Sequence, residues 1–339
     1  MRHLKRITIY YLLFTFLTAC NLPTAVPKAT PTLAAPATLT PIPTDVPTPQ
    51  PDLGEEGNPI LLALPPSQFL DPVTVANGQT LATLIEEQTG LRVVAVAPTT
   101  YFELIESMRI GNAHIAVLPQ FAIVDAYQNN AVQAAFASTQ DDIASIGAQF
   151  IARADRFTAH FNPSTQMNAI IAPDALFQFS GKKACWTEPT SPSGYLVPAG
   201  ILGWYKISTQ EGAFLQSQFS VVRAVRAGEI CDFGATYIDA RAYPALKDEY
   251  PHIMDEVVVV WQVPPIIPYD GIFFSQTVPA EIKVQLIKAL DLIFISDSGK
   301  TLFASLFGIK GMIPVEDVFY VEFTRYIQSS GADWESLVH

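Results

Sequence analysis

The segment CWTEPTSPSGYLVP, residues 185–198, places small hydroxyl residues between an apolar run and an apolar helix. Proline is tolerated in the first turn of a helix, so Pro198 predicts that this helix begins near Gly194. Ser191 and Ser193 then precede the free N–H groups of the first turn, where the helix dipole adds partial positive charge. Such hydroxyls and N–H groups can bind an oxyanion. A plain helix cap is the alternative, and this segment alone does not decide between them.

Other chemistries have less support in the sequence. It contains no Walker-type phosphate loop and no G-x-S-x-G nucleophile motif. The five histidines lack the spacing of metal ligands, and the acidic residues are scattered. An extracellular hydrolase that uses these carboxylates is therefore the weakest hypothesis. We expect a binding protein that is not an enzyme and that needs neither cofactor nor metal.

The elements around this segment alternate between strands and helices. The first part of the chain predicts β-α-β-α-β, which favours a parallel sheet with right-handed crossovers. Its segments are PILLALPP, NGQTLATLIEEQTG, LRVVAVAP, YFELIESMRIGN and AHIAVLP. The second part repeats this theme with KKACW, GYLVPAGILGWYKI, VVRAVRAGE and ICDFGATY. The long apolar stretch EVVVVWQVPPIIPYDGIFFS is typical of a segment that crosses between two lobes, and PAEIKVQLIKALDLIFIS predicts a helix.

The N-terminus predicts export. A basic start, MRHLKR, precedes a 13-residue apolar segment, which fits a signal peptide and is short for a membrane span. The following LTAC resembles a bacterial lipobox, which implies cleavage before Cys20 and lipidation of its thiol; an ordinary secretory signal is the alternative. Residues 21–57 contain nine prolines and seven threonines, which predicts an extended tether.

Composition narrows the partners. Hydrophobic residues make up 49% of the chain and charged residues 15%, as in a well-cored globular protein. The formal net charge is -12 and no basic stripe occurs, so we expect no nucleic-acid partner. An acidic protein repels anions at long range, so an anion site must rely on local donors.

Cys185 and Cys231 fall on two predicted strands of the second part. Neighbouring strands lie about 4.8 Å apart, within the Cα separation that a disulfide tolerates. Export favours an oxidising compartment, so we favour a bridge between them over two free buried thiols.

Five motifs in order resemble the substrate-binding proteins of phosphate, phosphite and phosphonate ABC transporters. They are TTYFELIESMRIGNAHIAVLPQFAIVDAY, SPSGYLVP, AVRAGEICDFGATYIDAR, PPIIPYDGIFF and FGIKGMIPVEDVFY, and the similarity runs from about Asn58 to about Tyr326. The resemblance implies an α/β fold of the periplasmic-binding-protein type 2: a two-lobed clamshell, each lobe a mostly parallel sheet flanked by helices, with two hinge crossings. We expect residues 1–19 to be the signal peptide, 20–57 the tether, 58–152 plus 268–339 lobe I, and 153–267 lobe II.

The resemblance also implies a ligand site in the interlobe cleft. The matching positions are Ser191 and Ser193 with N–H groups of Gly194 and Tyr195, the pocket residue Tyr101, the loop Pro119, Gln120 and Phe121, the strand-end residues Tyr237 and Asp239, and Asp270 on the crossing segment. The plainer interpretations also stand: Tyr101 could pack on the core, Tyr237 could cap its strand, and Asp270 could be a solvated loop charge. Pro192 replaces a threonine common in the family, and Gln218 stands where a histidine is frequent, so the ligand could be another small anion or a neutral polar molecule.

These expectations combine into one hypothesis. The chain is an extracytoplasmic, membrane-anchored lipoprotein that binds a small oxyanion and delivers it to ABC permease subunits, and we expect a monomer. A second hypothesis is a sensing module that presents its ligand to a membrane-bound signalling partner.

Overall fold

The computed structural model describes residues 51–338, which lie in one compact unit, so the signal peptide, Cys20 and most of the tether lie outside the described residues. The strands are β1 (Ile60–Ala63), β2 (Val93–Val96), β3 (Ile115–Leu118), β4 (Val132–Thr139), β5 (Ser145–Arg153), β6 (Phe161–Asn162), β7 (Met167–Asn168), β8 (Lys183–Trp186), β9 (Gln210–Phe214), β10 (Phe233–Tyr237), β11 (Val257–Pro268), β12 (Gly271–Ser275) and β13 (Gly311–Pro314). The α-helices are α1 (Pro72–Thr89), α2 (Tyr101–Ile110), α3 (Gln120–Gln128), α4 (Ala172–Leu176), α5 (Val197–Trp204), α6 (Gln218–Ala227), α7 (Pro244–Glu249), α8 (Ile253–Glu256), α9 (Ala280–Ile295), α10 (Asp297–Phe307) and α11 (Val321–Ser329).

The first lobe is built on a six-stranded sheet in the order β13-β4-β12-β3-β1-β2. Strands β1, β2 and β3 run parallel, joined by α1 and α2, which confirms the predicted β-α-β-α-β unit. Strands β12, β4 and β13 extend the sheet in antiparallel pairing. Because the parallel strands all end at one edge, their following loops gather at that edge.

The second lobe is built on a five-stranded sheet in the order β11-β5-β10-β8-β9. The predicted strands β8 and β10 are neighbours and run parallel, and β9 joins them on the other side of β8. Strands β5 and β11 are antiparallel additions. Both sheets are therefore mixed, with a parallel half and an antiparallel half, and helices cover their faces.

The first crossing between the lobes occurs earlier in the chain than expected, because strand β5 belongs to the second sheet. It pairs with β10 and β11, so the chain leaves the first sheet between 140 and 144, before the expected boundary at 152. Asp141 and Asp142 form the turn there, both with positive φ. The return passage follows β11, at Tyr269 and Asp270, as the apolar crossing segment predicted.

The C-terminal helix α11 packs on the second lobe, although residues up to 339 were expected in lobe I. A methyl group on Gly200 would lie 1.8 Å from the carbonyl oxygen of Tyr326, so α5 and α11 are in direct backbone contact. Phe323 and Ile327 are buried in the core of the second lobe. This close approach requires glycine on α5, and it makes residues 314–321 a third link between the lobes.

At the other end, the folded part begins before Asn58. The side chain of Leu53 packs on the first-lobe core, and the N–H of Arg92 donates to the carbonyl of Gly54.

The cysteine prediction is confirmed. Cys185 and Cys231 form a disulfide with their Cα atoms 5.6 Å apart, joining strand β8 to the segment before β10. Among the described residues, no helix combines the length and apolarity needed to cross a bilayer.

Candidate functional site

The predicted site residues fall into two groups, one on each lobe. In the second lobe, Ser191 caps a π-helical turn (Pro192–Leu196) after β8 that contains Ser193 and Gly194, Tyr237 ends β10, and Asp239 follows it. In the first lobe, Tyr101 begins α2, Pro119, Gln120 and Phe121 begin α3, and Asp270 precedes β12. Each group lies at the ends of strands that belong to the parallel half of its sheet or pair directly with that half. Ligands of α/β proteins bind at such strand ends.

Ser191 is the N-cap of the π-helical turn. Its Oγ accepts the backbone N–H of Gly194 at 3.0 Å, and its carbonyl accepts the N–H groups of Tyr195 (3.1 Å) and Leu196 (2.9 Å). The turn is wider than an α-helical one, a feature frequent at functional sites. The capping arrangement and the predicted oxyanion site therefore use the same atoms.

Thr187 lies directly against this turn, and sequence reasoning missed it. A Cβ atom on Gly194 would come within 2.0 Å of Thr187 Oγ1, so only glycine fits. The backbone N–H of Thr187 also donates to the carbonyl of Gly194 (3.2 Å). Ser193, next in the turn, is 8% exposed, which places its side chain in the protein and away from bulk water.

The ring of Tyr195 belongs to an aromatic cluster of the second lobe. It lies 5.5 Å from the ring of Trp186 and 4.8 Å from that of Phe214, between centroids. Trp186 is 5% exposed and packs in the core of the second lobe. The backbone of Tyr195, and not its ring, is therefore the part that belongs to the turn.

Asp239 is held in an ion pair. The guanidinium of Arg241 donates to both of its carboxylate oxygens, at 3.0 and 2.5 Å, and the Gln149 amide donates to Oδ1 at 2.8 Å. Burial alone would raise the pKa of Asp239, but these donors hold it below its usual value. Both carboxylate oxygens of Asp239 are therefore already hydrogen-bonded to residues of the second lobe.

Tyr237, at the end of β10, is tied to the start of α6. Its backbone N–H donates to the side-chain carbonyl of Gln218 at 3.1 Å. Gln218, the residue that departs from the family pattern, therefore links the helix to the strand end. Burial raises the pKa of the Tyr237 hydroxyl, helped by the neighbouring Tyr243 and Asp239.

The first-lobe group includes the loop at the start of α3, which lies beside the end of the crossing strand β11. Pro119 caps this helix without a side-chain hydrogen bond. The Gln120 amide donates to the carbonyl of Pro268, the last residue of the crossing strand β11. Phe121 packs against the cores of both lobes. This loop therefore contacts the segment about which the lobes would move.

Asp270 and Tyr101 are electrostatic neighbours. Gly271 pairs with Leu118, so Asp270 lies opposite Pro119 at the sheet edge. Burial raises the pKa of the Asp270 carboxyl above its usual value. Burial, and then the charge of Asp270, raise the pKa of the Tyr101 hydroxyl. Burial therefore disfavours the ionised form of the Asp270 carboxyl, and a hydrogen-bond donor beside it would be favourable.

Two lobes with polar loops at their strand ends, joined by crossing segments, define a two-lobed solute-binding protein. The family model for the periplasmic phosphonate substrate-binding proteins of ABC transporters matches residues 66–320. The chain belongs to this family, whose members serve as transport binding proteins and not as enzymes.

Individual relatives match this chain over a short length or with low sequence identity. The phosphate-import protein PhnD of Mycolicibacterium smegmatis is 32% identical over 126 residues, which span 36% of this chain and 35% of that relative, about a third of its length. PhnD1 of Prochlorococcus marinus, solved with methylphosphonate, is 15% identical with a TM-score of 0.37, covering 79% of this chain and 98% of that one. XAC2383 of Xanthomonas citri, solved with chloride, is 15% identical with a TM-score of 0.47, covering 82% and 99%.

Proposed function

We propose that this protein is the extracytoplasmic binding component of an ABC importer and that it binds a small oxyanion, a phosphonate, phosphite or phosphate, between its lobes. The observation that carries this proposal is the Ser191–Gly194 turn. It sets a cap hydroxyl, a second shielded hydroxyl and a glycine backbone after the end of β8. This combination of small donors at a helix start suits an oxyanion without requiring a cationic side chain.

The residues take different roles in this proposal. Ser191, Ser193 and the backbone of Gly194 and Tyr195 bind the oxyanion from the second lobe. Tyr101 and the α3 start (Pro119, Gln120, Phe121) face it from the first lobe, and Tyr237 closes the second-lobe side.

The two carboxylates differ. Asp270, half-buried with a raised pKa, would accept a hydrogen bond from a protonated ligand oxygen or an amino group. Asp239 would act indirectly, because its oxygens bind Arg241 and Gln149.

The proposal extends to the membrane. Residues 1–19 direct export, lipidated Cys20 anchors the protein, and the proline-rich tether gives it reach toward the permease. We take residues 51–139, 271–320 and 335–338 as the first lobe and 145–268 and 321–334 as the second. Hinge closure on the ligand would present a distinct form of the monomer to the permease. Replacing Cys20 with alanine should release the exported protein from the membrane fraction.

A ligand screen tests the binding claim. Purified protein is heated with phosphate, phosphite, methylphosphonate, aminoethylphosphonate or sulfate, and its Tm is compared with that of ligand-free protein. A ligand present at 100 times its dissociation constant stabilises the fold by about 2.7 kcal/mol, an easily seen shift. We expect a shift with at least one phosphorus oxyanion. No shift with any phosphorus oxyanion would contradict the proposal.

A further inference from the structure

A buried polar row crosses three neighbouring strands of the second lobe. Gln149 on β5 pairs with Thr236 on β10. Strands β10 and β8 pair Gly234 with Cys185, and Thr236 and Thr187 each lie two residues further along the chain. Gln149, Thr236 and Thr187 are 1%, 0% and 1% exposed. The row therefore lies inside the lobe, at the strand ends.

Most of this row is bonded internally. The Gln149 amide donates to Thr236 Oγ1 at 3.1 Å and to Asp239, and Thr236 Oγ1 donates to the carbonyl of Tyr237 at 3.0 Å. Two atoms remain without a partner among the described residues: Gln149 Oε1 at one end and Thr187 Oγ1 at the other. A buried hydroxyl that lacks a partner destabilises a fold, so its retention calls for an explanation.

The two ends of the row differ in their surroundings. Gln149 is on β5, beside the crossing strand β11, and its amide is already engaged. Thr187 is the first residue after β8 and lies against the Ser191–Gly194 turn, where its hydroxyl fills the space that a side chain on residue 194 would need. The unpartnered hydroxyl is thus part of the same structure as the proposed anion-binding turn.

We infer that Thr187 is a ligand-binding residue that donates its hydroxyl to the oxyanion held by this turn. The inference rests on the proposed function and refines it: the oxyanion is bound by hydroxyls from the strand end as well as from the turn. Thr187 Oγ1 has no hydrogen-bond partner among the described residues, so its hydroxyl is available to donate to a ligand.

Thr187→Val separates this role from a structural one, because valine keeps the shape and removes only the hydroxyl. Replacing an unpartnered hydroxyl by an apolar group of the same shape is neutral or stabilising. We therefore expect the Tm of the ligand-free variant to be unchanged or higher. We expect calorimetric titration with methylphosphonate and with inorganic phosphate to show binding weakened at least about tenfold, the effect of one hydrogen bond to a charged group. Thr187→Ser should bind like the wild type.

Thr190→Val is the matched control, since Thr190 is an exposed threonine of the same loop, and its affinity should be unchanged. The inference would be overturned if Thr187→Val protein bound within about twofold of the wild-type affinity. Such a change is well below the tenfold change that about 1.4 kcal/mol produces. The inference would also be overturned if Thr187→Val lowered both the Tm and the affinity and Thr187→Ser showed the same losses. If Ser193→Ala weakens binding and Thr187→Val does not, only this inference fails. If the wild type binds neither probe nor any other phosphorus oxyanion, the proposed function itself fails.

Discussion

The hydroxyl of Ser191 accepts the backbone N–H of Gly194 at 3.0 Å, so the helix cap and the proposed anion site are built from one hydrogen bond. An oxyanion that binds here must compete with this cap for the Gly194 N–H. The structure shows the cap, and the proposed oxyanion site uses the same Gly194 N–H. The ligand-free turn is capped by its own serine, and the ligand would take over donors that the cap holds in place.

Ser191→Ala should separate the two roles. Removing an N-cap serine costs about 0.5–2 kcal/mol of stability, so the ligand-free Tm should fall slightly. If the hydroxyl also contacts the oxyanion, methylphosphonate affinity should fall about tenfold, as for a hydrogen bond to a charged group. Thermal unfolding and calorimetric titration measure the two effects. Thr190→Ala serves as the control, and a Ser191→Ala variant with wild-type affinity would restrict Ser191 to capping.

The disulfide should stabilise the second lobe. Cys185 and Cys231 are separated by 46 residues, and closing a loop of that size stabilises a fold by about 4 kcal/mol in the chain-entropy account. Unfolding by denaturant with reductant present should therefore occur at a lower midpoint than without it. The double variant Cys185→Ala/Cys231→Ala should have the lower midpoint and should not respond to reductant. Two titratable thiols in the native oxidised protein would contradict the bridge.

Asp270 should cost stability at neutral pH. Burial raises its folded pKa above the 3.8 of an unperturbed carboxyl, so the folded state holds its proton over a wider pH range than the unfolded state. The associated stability is present at low pH and is lost as pH rises from near 3.8 through the raised folded value. Asp270→Asn should therefore be more stable than the wild type at pH 7, with the difference shrinking toward pH 4. Thermal unfolding across this range checks it, and an equal or lower Tm at pH 7 would contradict it.

The contact between α5 and α11 should tolerate no added methyl group. In Gly200→Ala the new carbon would lie 1.8 Å from the Tyr326 carbonyl oxygen, so the helices must separate. Overpacking of this kind typically costs about 1–3 kcal/mol, and the Tm should fall accordingly. Glu322→Ala, an exposed position on α11, is the control and should change little. A Gly200→Ala protein with a wild-type Tm would mean that α11 does not hold this position.

The parallel half of each sheet could be predicted because its strands are short apolar runs separated by helices that end at glycine. Gly90 and Gly111 both adopt the left-handed conformation at the ends of α1 and α2, which is the usual role of glycine after a helix. The antiparallel strands were harder. In β5, Gly147, Ala148 and Gln149 show no clear alternation, because both faces of this strand are buried.

The site was predictable at the level of the segment and not of the single contact. The hydroxyls of Ser191 and Ser193 were recognisable from the proline and glycine around them. Thr187 is 1% exposed because it follows β8, whose neighbour β10 is distant in sequence, so its burial is a long-range property. The ion pair that engages Asp239 comes from Arg241, and which side chain a strand-end carboxylate binds follows from the backbone path and not from spacing.

The central claim is that the Ser191–Gly194 turn binds a phosphorus oxyanion, and calorimetric titration of wild-type and Ser193→Ala protein with methylphosphonate tests it most directly. Ser193 is shielded and makes no cap bond to Gly194, so its loss should leave the fold intact. We predict saturable one-to-one binding by the wild type and an affinity at least about tenfold weaker for Ser193→Ala. Equal affinities, with both proteins folded, would contradict the account.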